Sequence, residues 1–311
     1  MDLDETTRRS EREPAHVAIL GAGLMGAQIG CEYALGGCHV SFVVRERARA
    51  ERRVEQALAL ALQHELAGET TLAQARTLIG YDESAGASLA SDARSPELIV
   101  ESLPEDLSLK ADVLGALAAR FPRATVASNT SSLSISALGE AAGVGERIVG
   151  THYWNPPLLM PLVETIAGAH TPRELLLDVL ELLRAIGKRP IVLEHEATGL
   201  LWNRLQLAVL RECEWLVEHG VATPAAIDEV MRDGLARRWR LTGPFETVGL
   251  GGAQTFDAIA ANLYPMLSSA TSGHGFDEHV PHDPAVLAKL RERRDAELAA
   301  ELRREREADA G

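Results

Sequence analysis

Gly21-Ala22-Gly23-Leu24-Met25-Gly26 fits the spacing G-x-G-x-x-G. Glycines so placed permit a tight turn, let backbone approach a pyrophosphate, and let a helix pack closely on a strand. The helix that follows aims its N-terminal N–H groups and positive dipole end at the phosphates. The spacing has this meaning only between a strand and a helix, and both are readable. The apolar run His16–Leu20 precedes it, and a helical pattern continues to about Leu35. The motif therefore predicts a bound dinucleotide, held by Gly21, Gly23, Leu24, Met25 and Gly26. In NAD-binding versions an acidic residue about 20 residues on ends the second strand and takes the ribose hydroxyls. Val44 stands there, followed by Arg45. Valine accepts no hydrogen bond, whereas Arg45 can pair with the 2′-phosphate of NADP. The sequence leans to NADP and leaves NAD open. A second cluster, His274, His279 and His282 with Asp277 and Asp283, holds metal-ligating types, but its spacing fits no closed tetrahedral site.

The elements that position the motif follow from periodicity. A second apolar run at 40–44 completes a βαβ unit. Helical patterns at 50–66 and 71–78 come next, then a strand at 98–102, a helix at 107–119, and strands at 124–127, 147–153 and 162–166. A helix at 173–186 is closed by Gly187, a C-cap signal, and a last strand lies at 190–193. This alternation predicts an α/β fold: a Rossmann-type, doubly wound, mostly parallel sheet. After Gly199 the pattern is helical, with one helix at 200–219, one opened by Thr223-Pro224, and one from Asp283-Pro284 to about Glu307. The polar segment 268–284 reads as a loop. The expected domains are a disordered tail at 1–14, a dinucleotide-binding domain at 15–196 and an all-helical domain at 197–311.

Composition narrows the class. The chain has 311 residues, 46% hydrophobic and 24% charged, which excludes a wholly disordered or fibrous protein. With 4% aromatics the core must be aliphatic. A net charge of −14 argues against binding nucleic acid or acidic membranes. Cys31, Cys38 and Cys213 form no C-x-x-C pair, which suits a reducing compartment. The stretch 16–44 carries Gln28, Glu32 and several glycines, so it makes a poor membrane span. A soluble, cytoplasmic protein is expected.

Four blocks, in order and suitably spaced, resemble the 3-hydroxyacyl-CoA dehydrogenase family along nearly the whole chain. They are Leu103-Pro-Glu-Asp-Leu-Ser-Leu-Lys110, Ser128-Asn-Thr-Ser-Ser-Leu133, His152-Tyr-Trp-Asn-Pro156 followed by Pro161-Leu-Val-Glu164, and Trp202-Asn203-Arg204. The resemblance implies that His152 is the general base toward the substrate hydroxyl, and the general acid in reverse. Histidine as a residue type suits both tasks. Glu164 would orient the imidazole and stabilise its charged form. Ser131 and Asn203 would position the reacting oxygen. Glu105 would face the ribose, while Lys110 and Asn155 would face cofactor or substrate carbonyl, and Asn129 would join the cofactor site.

The resemblance divides over substrate. Members acting on acyl-CoA usually carry a lysine-rich helix after the second strand, whereas 54–75 holds no Lys or Arg, although Arg47, Arg49, Arg52 and Arg53 lie just before it. The segment 231–247 looks more like the branch containing L-gulonate 3-dehydrogenase and lambda-crystallin, in which Arg238, with Arg240 near it, would clamp a free carboxylate. Trp154 and Trp202 could instead wall an acyl group. The implied activity is hydride transfer between NAD or NADP and the 3-carbon of a 3-hydroxy or 3-keto acid, free or carrier-bound. A homodimer through the helical domain is implied too. A non-catalytic, crystallin-like nucleotide binder is the other class, and it gives no reason to keep Ser131, His152, Glu164 and Asn203 together.

Overall fold

The computed structural model describes residues 15–85, 95–273 and 276–310. The expected tail at 1–14 and His274 lie outside the described residues. The first half alternates strand and helix: β1 (His16–Leu20), α1 (Leu24–Leu35), β2 (His39–Val43), α2 (Arg47–Gln63), α3 (Glu69–Thr77), β3 (Ile79–Asp82) and β4 (Leu98–Glu101). Then come α4 (Leu107–Arg120), β5 (Thr125–Ser128), α5 (Ile135–Ala141), β6 (Ile148–Tyr153), β7 (Leu162–Ala167), α6 (Arg173–Ala185) and β8 (Arg189–Val192). The strands make one eight-stranded sheet in the order β3-β2-β1-β4-β5-β6-β7-β8. Every neighbouring pair is parallel except β6 and β7. The chain order reverses direction between β1 and β4, the place where doubly wound sheets bind ligands.

Helices cover both faces, so the central strands are apolar throughout instead of alternating. Val17 and Ile19 of β1 face one cluster, with Ile29, Phe42, Leu58 and Leu183. Ala18 and Leu20 face the other, with Leu114, Leu138 and Ile148. Two elements of this half, β3 and α5, do not follow from the periodicity. β3 is a half-exposed edge strand interrupted by Gly80, so it shows no apolar run. α5 is short and is capped by Ser134, whose Oγ accepts from the Ala137 N–H at 3.2 Å.

The described residues form two compact units: those up to Leu201 together with those from Leu290 onward, and Trp202–Lys289. The second unit continues α7 (Leu200–Glu218) and adds α8 (Pro224–Glu229), α9 (Arg237–Trp239), α10 (Pro244–Gly251), α11 (Ala253–Leu263) and α12 (Phe276–His279). A π-helical stretch, Val230–Ala236, joins α8 to α9. The short α12 lies in the segment expected to be loop. The final helix, α13 (Pro284–Ala310), begins in the helical unit, but from Leu290 onward it belongs to the sheet-bearing unit, unlike the expected domain 197–311. Ala299 and Leu302 of α13 are buried. Its Arg303 donates to the His64 carbonyl, and Arg306 donates to the Leu66 carbonyl at 3.3 Å. No helix among the described residues is long and apolar enough to cross a membrane.

One buried ion pair fixes the segment joining β6 to β7. Lys188, just before β8, lies 2.5 Å from a Glu32 carboxylate oxygen on α1. The same ammonium donates to the carbonyls of Pro157 and Met160 at 2.7 and 2.9 Å. Three acceptors use its three donors. Burial pushes the Glu32 carboxyl up and the Lys188 ammonium down from their ordinary values. Removing one partner strands the other in an apolar site. Lys188→Met is therefore expected to destabilise the protein by roughly 3–5 kcal/mol in urea unfolding. The double variant Lys188→Met/Glu32→Leu should recover part of that loss. A double variant less stable than the single one would contradict this role.

Candidate active site

The glycine loop has the shape its spacing predicts. Gly21 has φ +93°, and a Cβ there would lie 2.8 Å from the Ser102 carbonyl oxygen. A Cβ on Gly26 would lie 2.1 Å from the Gly21 carbonyl oxygen. Gly23 differs: among the described residues nothing lies within 4 Å of such an atom. The backbone there is open to a pyrophosphate, and α1 begins at Gly23 with no side-chain cap and no acid in its first turn. These residues fit a dinucleotide. Leu24 is exposed, while Met25 packs partly against the core. At the end of β2 the Val44 N–H donates to the Asp82 carbonyl at 2.9 Å. Arg45 is exposed, and among the described residues no ion pair or hydrogen bond holds its side chain.

His152 and Glu164 are register partners on the antiparallel strands β6 and β7, so their side chains share one face. His152 Nδ1 lies 2.6 Å from Glu164 Oε2. A carboxylate only accepts, so the contact calls for hydrogen on Nδ1, and in the neutral ring that leaves the lone pair on Nε2. Glu164 Oε2 also accepts from Trp154 Nε1–H at 3.3 Å, and Oε1 accepts from the Leu201 N–H at 2.7 Å. Glu164 is 1% exposed and His152 6%. Three donors on one buried carboxylate hold the imidazole in one orientation and one tautomer.

The loop carrying Ser131 is built on acids. Glu105 Oε1 accepts from the N–H groups of Ser131 and Ser132 at 3.0 and 2.9 Å, and from Thr130 Oγ1 at 2.6 Å. Ser131 Oγ lies 3.5 Å from the same oxygen. Burial opposes the charge on Glu105. The hydrogen bonds from Thr130 and Ser132 and the Lys110 ammonium outweigh it and lower the carboxyl to about 2. Lys110, expected to face cofactor or substrate carbonyl, has its ammonium turned to the protein itself. It is 1% exposed, and it contacts Glu101 at 2.7 Å, Glu105 at 3.2 Å and the Leu103 carbonyl at 3.1 Å. Its place is support beneath the loop. Glu105 likewise spends one oxygen on the loop.

Asn129 also ties strands together, its Oδ1 accepting from the Tyr153 N–H at 2.9 Å. Asn155 is exposed on the segment after β6. Asn203 sits on α7, two residues beyond Leu201, and Arg238 is exposed on α9; both belong to the second unit. His282 Nε2 lies 2.6 Å from the Asp277 carbonyl oxygen, and among the described residues no group of three ligating side chains gathers. Glu101, Glu32 and Lys188 escaped the sequence reading. The carboxylate ending the apolar run Leu98-Ile99-Val100-Glu101 was the available signal for one of them.

A switch-point sheet, an open glycine loop and a histidine held by a carboxylate define a nicotinamide-dinucleotide-dependent dehydrogenase. Residues 16–197 match the family description "3-hydroxyacyl-CoA dehydrogenase, NAD binding domain", and residues 199–282 match its C-terminal domain. The chain belongs to the 3-hydroxyacyl-CoA dehydrogenase family. It is 30% identical over 262 residues to 5-formyl-3-hydroxy-2-methylpyridine 4-carboxylate 5-dehydrogenase of Mesorhizobium japonicum, covering 82% of this chain and 81% of that one. The solved structure of an enzyme of that name, titled an NAD+-dependent dismutase, superposes with a TM-score of 0.80 at 26% identity, covering 93% of this chain and 97% of that chain. L-carnitine dehydrogenase of Pseudomonas sp. is 39% identical over 160 residues, about half of each chain.

The lowered carboxyl of Glu105 sets an acid limit. A carboxyl lowered on folding stabilises the protein above its ordinary value, 4.5, and that contribution is lost as pH falls toward about 2. Urea unfolding of wild type and Glu105→Gln from pH 6 to 2 should show the two curves converging below pH 4.5. Parallel curves across that range would contradict the ionised, loop-capping role.

Proposed function

We propose that this chain interconverts a short free 3-hydroxy acid and its 3-keto acid. The observation that carries the reading is the His152–Glu164 geometry, 2.6 Å at Nδ1 with Nε2 left to face a reactant. Nε2 takes the hydroxyl proton during oxidation and returns it during reduction. Glu164 stabilises the imidazolium formed between these states. When bound, the dinucleotide supplies the hydride acceptor. Ser131 positions the reacting oxygen, and Glu105 keeps the Ser131 loop in shape. A free acid is supported by the likeness to proteins named for a pyridine carboxylate and for L-carnitine. The absence of Lys and Arg at 54–75 supports it as well.

NAD is supported by the family description and by the similar structure titled NAD+-dependent. Arg45 in place of the usual acid supports NADP beside it. Absorbance of NADH and of NADPH with a panel of 3-keto acids tests both points. NADPH should be used at least as well as NADH, and Arg45→Asp should shift the preference to NADH. His152→Ala should cost about 10²-fold or more in kcat. Turnover kept in His152→Ala would overturn the mechanism.

A homodimer through the second unit is part of the reading. That unit exposes Leu241 at 83%, Phe245 at 90% and Leu250 at 78%, an apolar surface of the kind that marks protein interfaces. Light scattering at micromolar concentration should give twice the chain mass, and a monomer would contradict it.

A further inference from the structure

The end of β2 is where this fold usually sets an acid for the ribose hydroxyls, and Val44 stands there. The neighbouring strand brings one to the same place. Val43 and Asp82 are register partners on the parallel strands β2 and β3, and the Val44 N–H donates to the Asp82 carbonyl at 2.9 Å. Parallel neighbours run about 4.8 Å apart. Glu83, one residue beyond Asp82, therefore emerges beside the turn that follows β2. Its Oε1 accepts from the Arg47 N–H at 2.7 Å. The carboxylate is thereby held against the turn 44–47, the turn from which the usual acid would come.

Arg47 is the first residue of α2, so the contact caps an N–H with no partner inside the helix. A cap needs one oxygen, and a carboxylate has two. Among the described residues Oε2 of Glu83 accepts no hydrogen bond, and the residue is exposed. The other acids at this end of the sheet are committed. Asp82 is 3% exposed and accepts from the Ser84 N–H at 2.6 Å. Glu46 lies 3.8 Å from Arg52, and Glu51 pairs with Arg47 at 2.7 Å. Ribose hydroxyls donate, and a carboxylate accepts them through short, charge-assisted hydrogen bonds. A 2′-phosphate in that place donates nothing to Glu83, and its charge is repelled.

We propose that Glu83, reaching across from β3, accepts the ribose hydroxyls of NAD in place of the acid missing at Val44. It deepens the cofactor reading above: Glu83 serves the bare ribose of NAD, and Arg45 serves the 2′-phosphate of NADP. The role of Glu83 rests on the dinucleotide site, not on Arg45, so the two fail in different variants.

Calorimetric titration of the full chain with NADH and with NADPH reads binding without turnover. In Glu83→Gln the amide oxygen still accepts from the Arg47 N–H, so the melting temperature should not change. That variant should bind NADH about fivefold or more weakly than wild type does, and NADPH equally well or better. His152→Ala should bind both nucleotides as wild type does, which separates nucleotide choice from proton transfer. Three outcomes would overturn the role of Glu83: NADH binding unchanged in Glu83→Gln, both nucleotides weakened alike as by a lost helix cap, or a wild type that binds NADPH but not NADH. NADPH binding undiminished in Arg45→Asp would instead overturn the role of Arg45.

Discussion

A single buried carboxylate organises the catalytic end of the sheet. Glu164 accepts from the His152 imidazole, the Trp154 indole and the Leu201 N–H. It thereby links β6, the segment after it and the start of α7. A carboxylate this buried needs its donors in place, because an unpaired buried charge costs several kcal/mol. The constraint works in both directions: the donors keep the charge in the protein, and the charge keeps the imidazole in one tautomer. Antiparallel β6 and β7 make it possible, since their register sets residues 152 and 164 opposite each other. A parallel β7 would have required a long crossover between two residues only twelve apart.

Two further ionic knots flank that carboxylate. Lys188 gathers Glu32 and two carbonyls of the β6–β7 segment. Lys110 gathers Glu101, Glu105 and the Leu103 carbonyl beneath the Ser131 loop. Two of the chain's three lysines are thus buried and engaged by carboxylates and carbonyls of the protein itself. Loops beside an active site lack the hydrogen-bond ladders of strands and helices, and these ammonium groups supply donors to carbonyls that would otherwise be stranded.

The sheet was legible because its central strands are buried on both faces and therefore read as apolar runs, as in Val17-Ala18-Ile19-Leu20 and Leu98-Ile99-Val100. The glycine motif was legible because sterics allow few alternatives at Gly21 and Gly26. β3 was not, since a half-exposed four-residue edge strand has no apolar run to show. The packing of α13 was hidden for a related reason: only a few positions, Ala299 and Leu302 among them, are buried in a mostly charged helix. The resemblance placed Glu105 and Lys110 at the site, but whether such side chains face a ligand or hold a loop depends on partners distant in sequence. Lys188 and Glu32 show the same limit.

The tautomer of His152 is the most direct observable of the central interaction. Nitrogen-15 NMR of histidine-labelled protein, with His152 assigned by loss of its signals in His152→Ala, reads which ring nitrogen carries hydrogen. At a pH where the ring is neutral, the Glu164 contact predicts a protonated Nδ1 and a bare Nε2. A protonated Nε2 with a bare Nδ1 would mean that Glu164 does not hold the ring, and the proton-transfer role of His152 would fail with it.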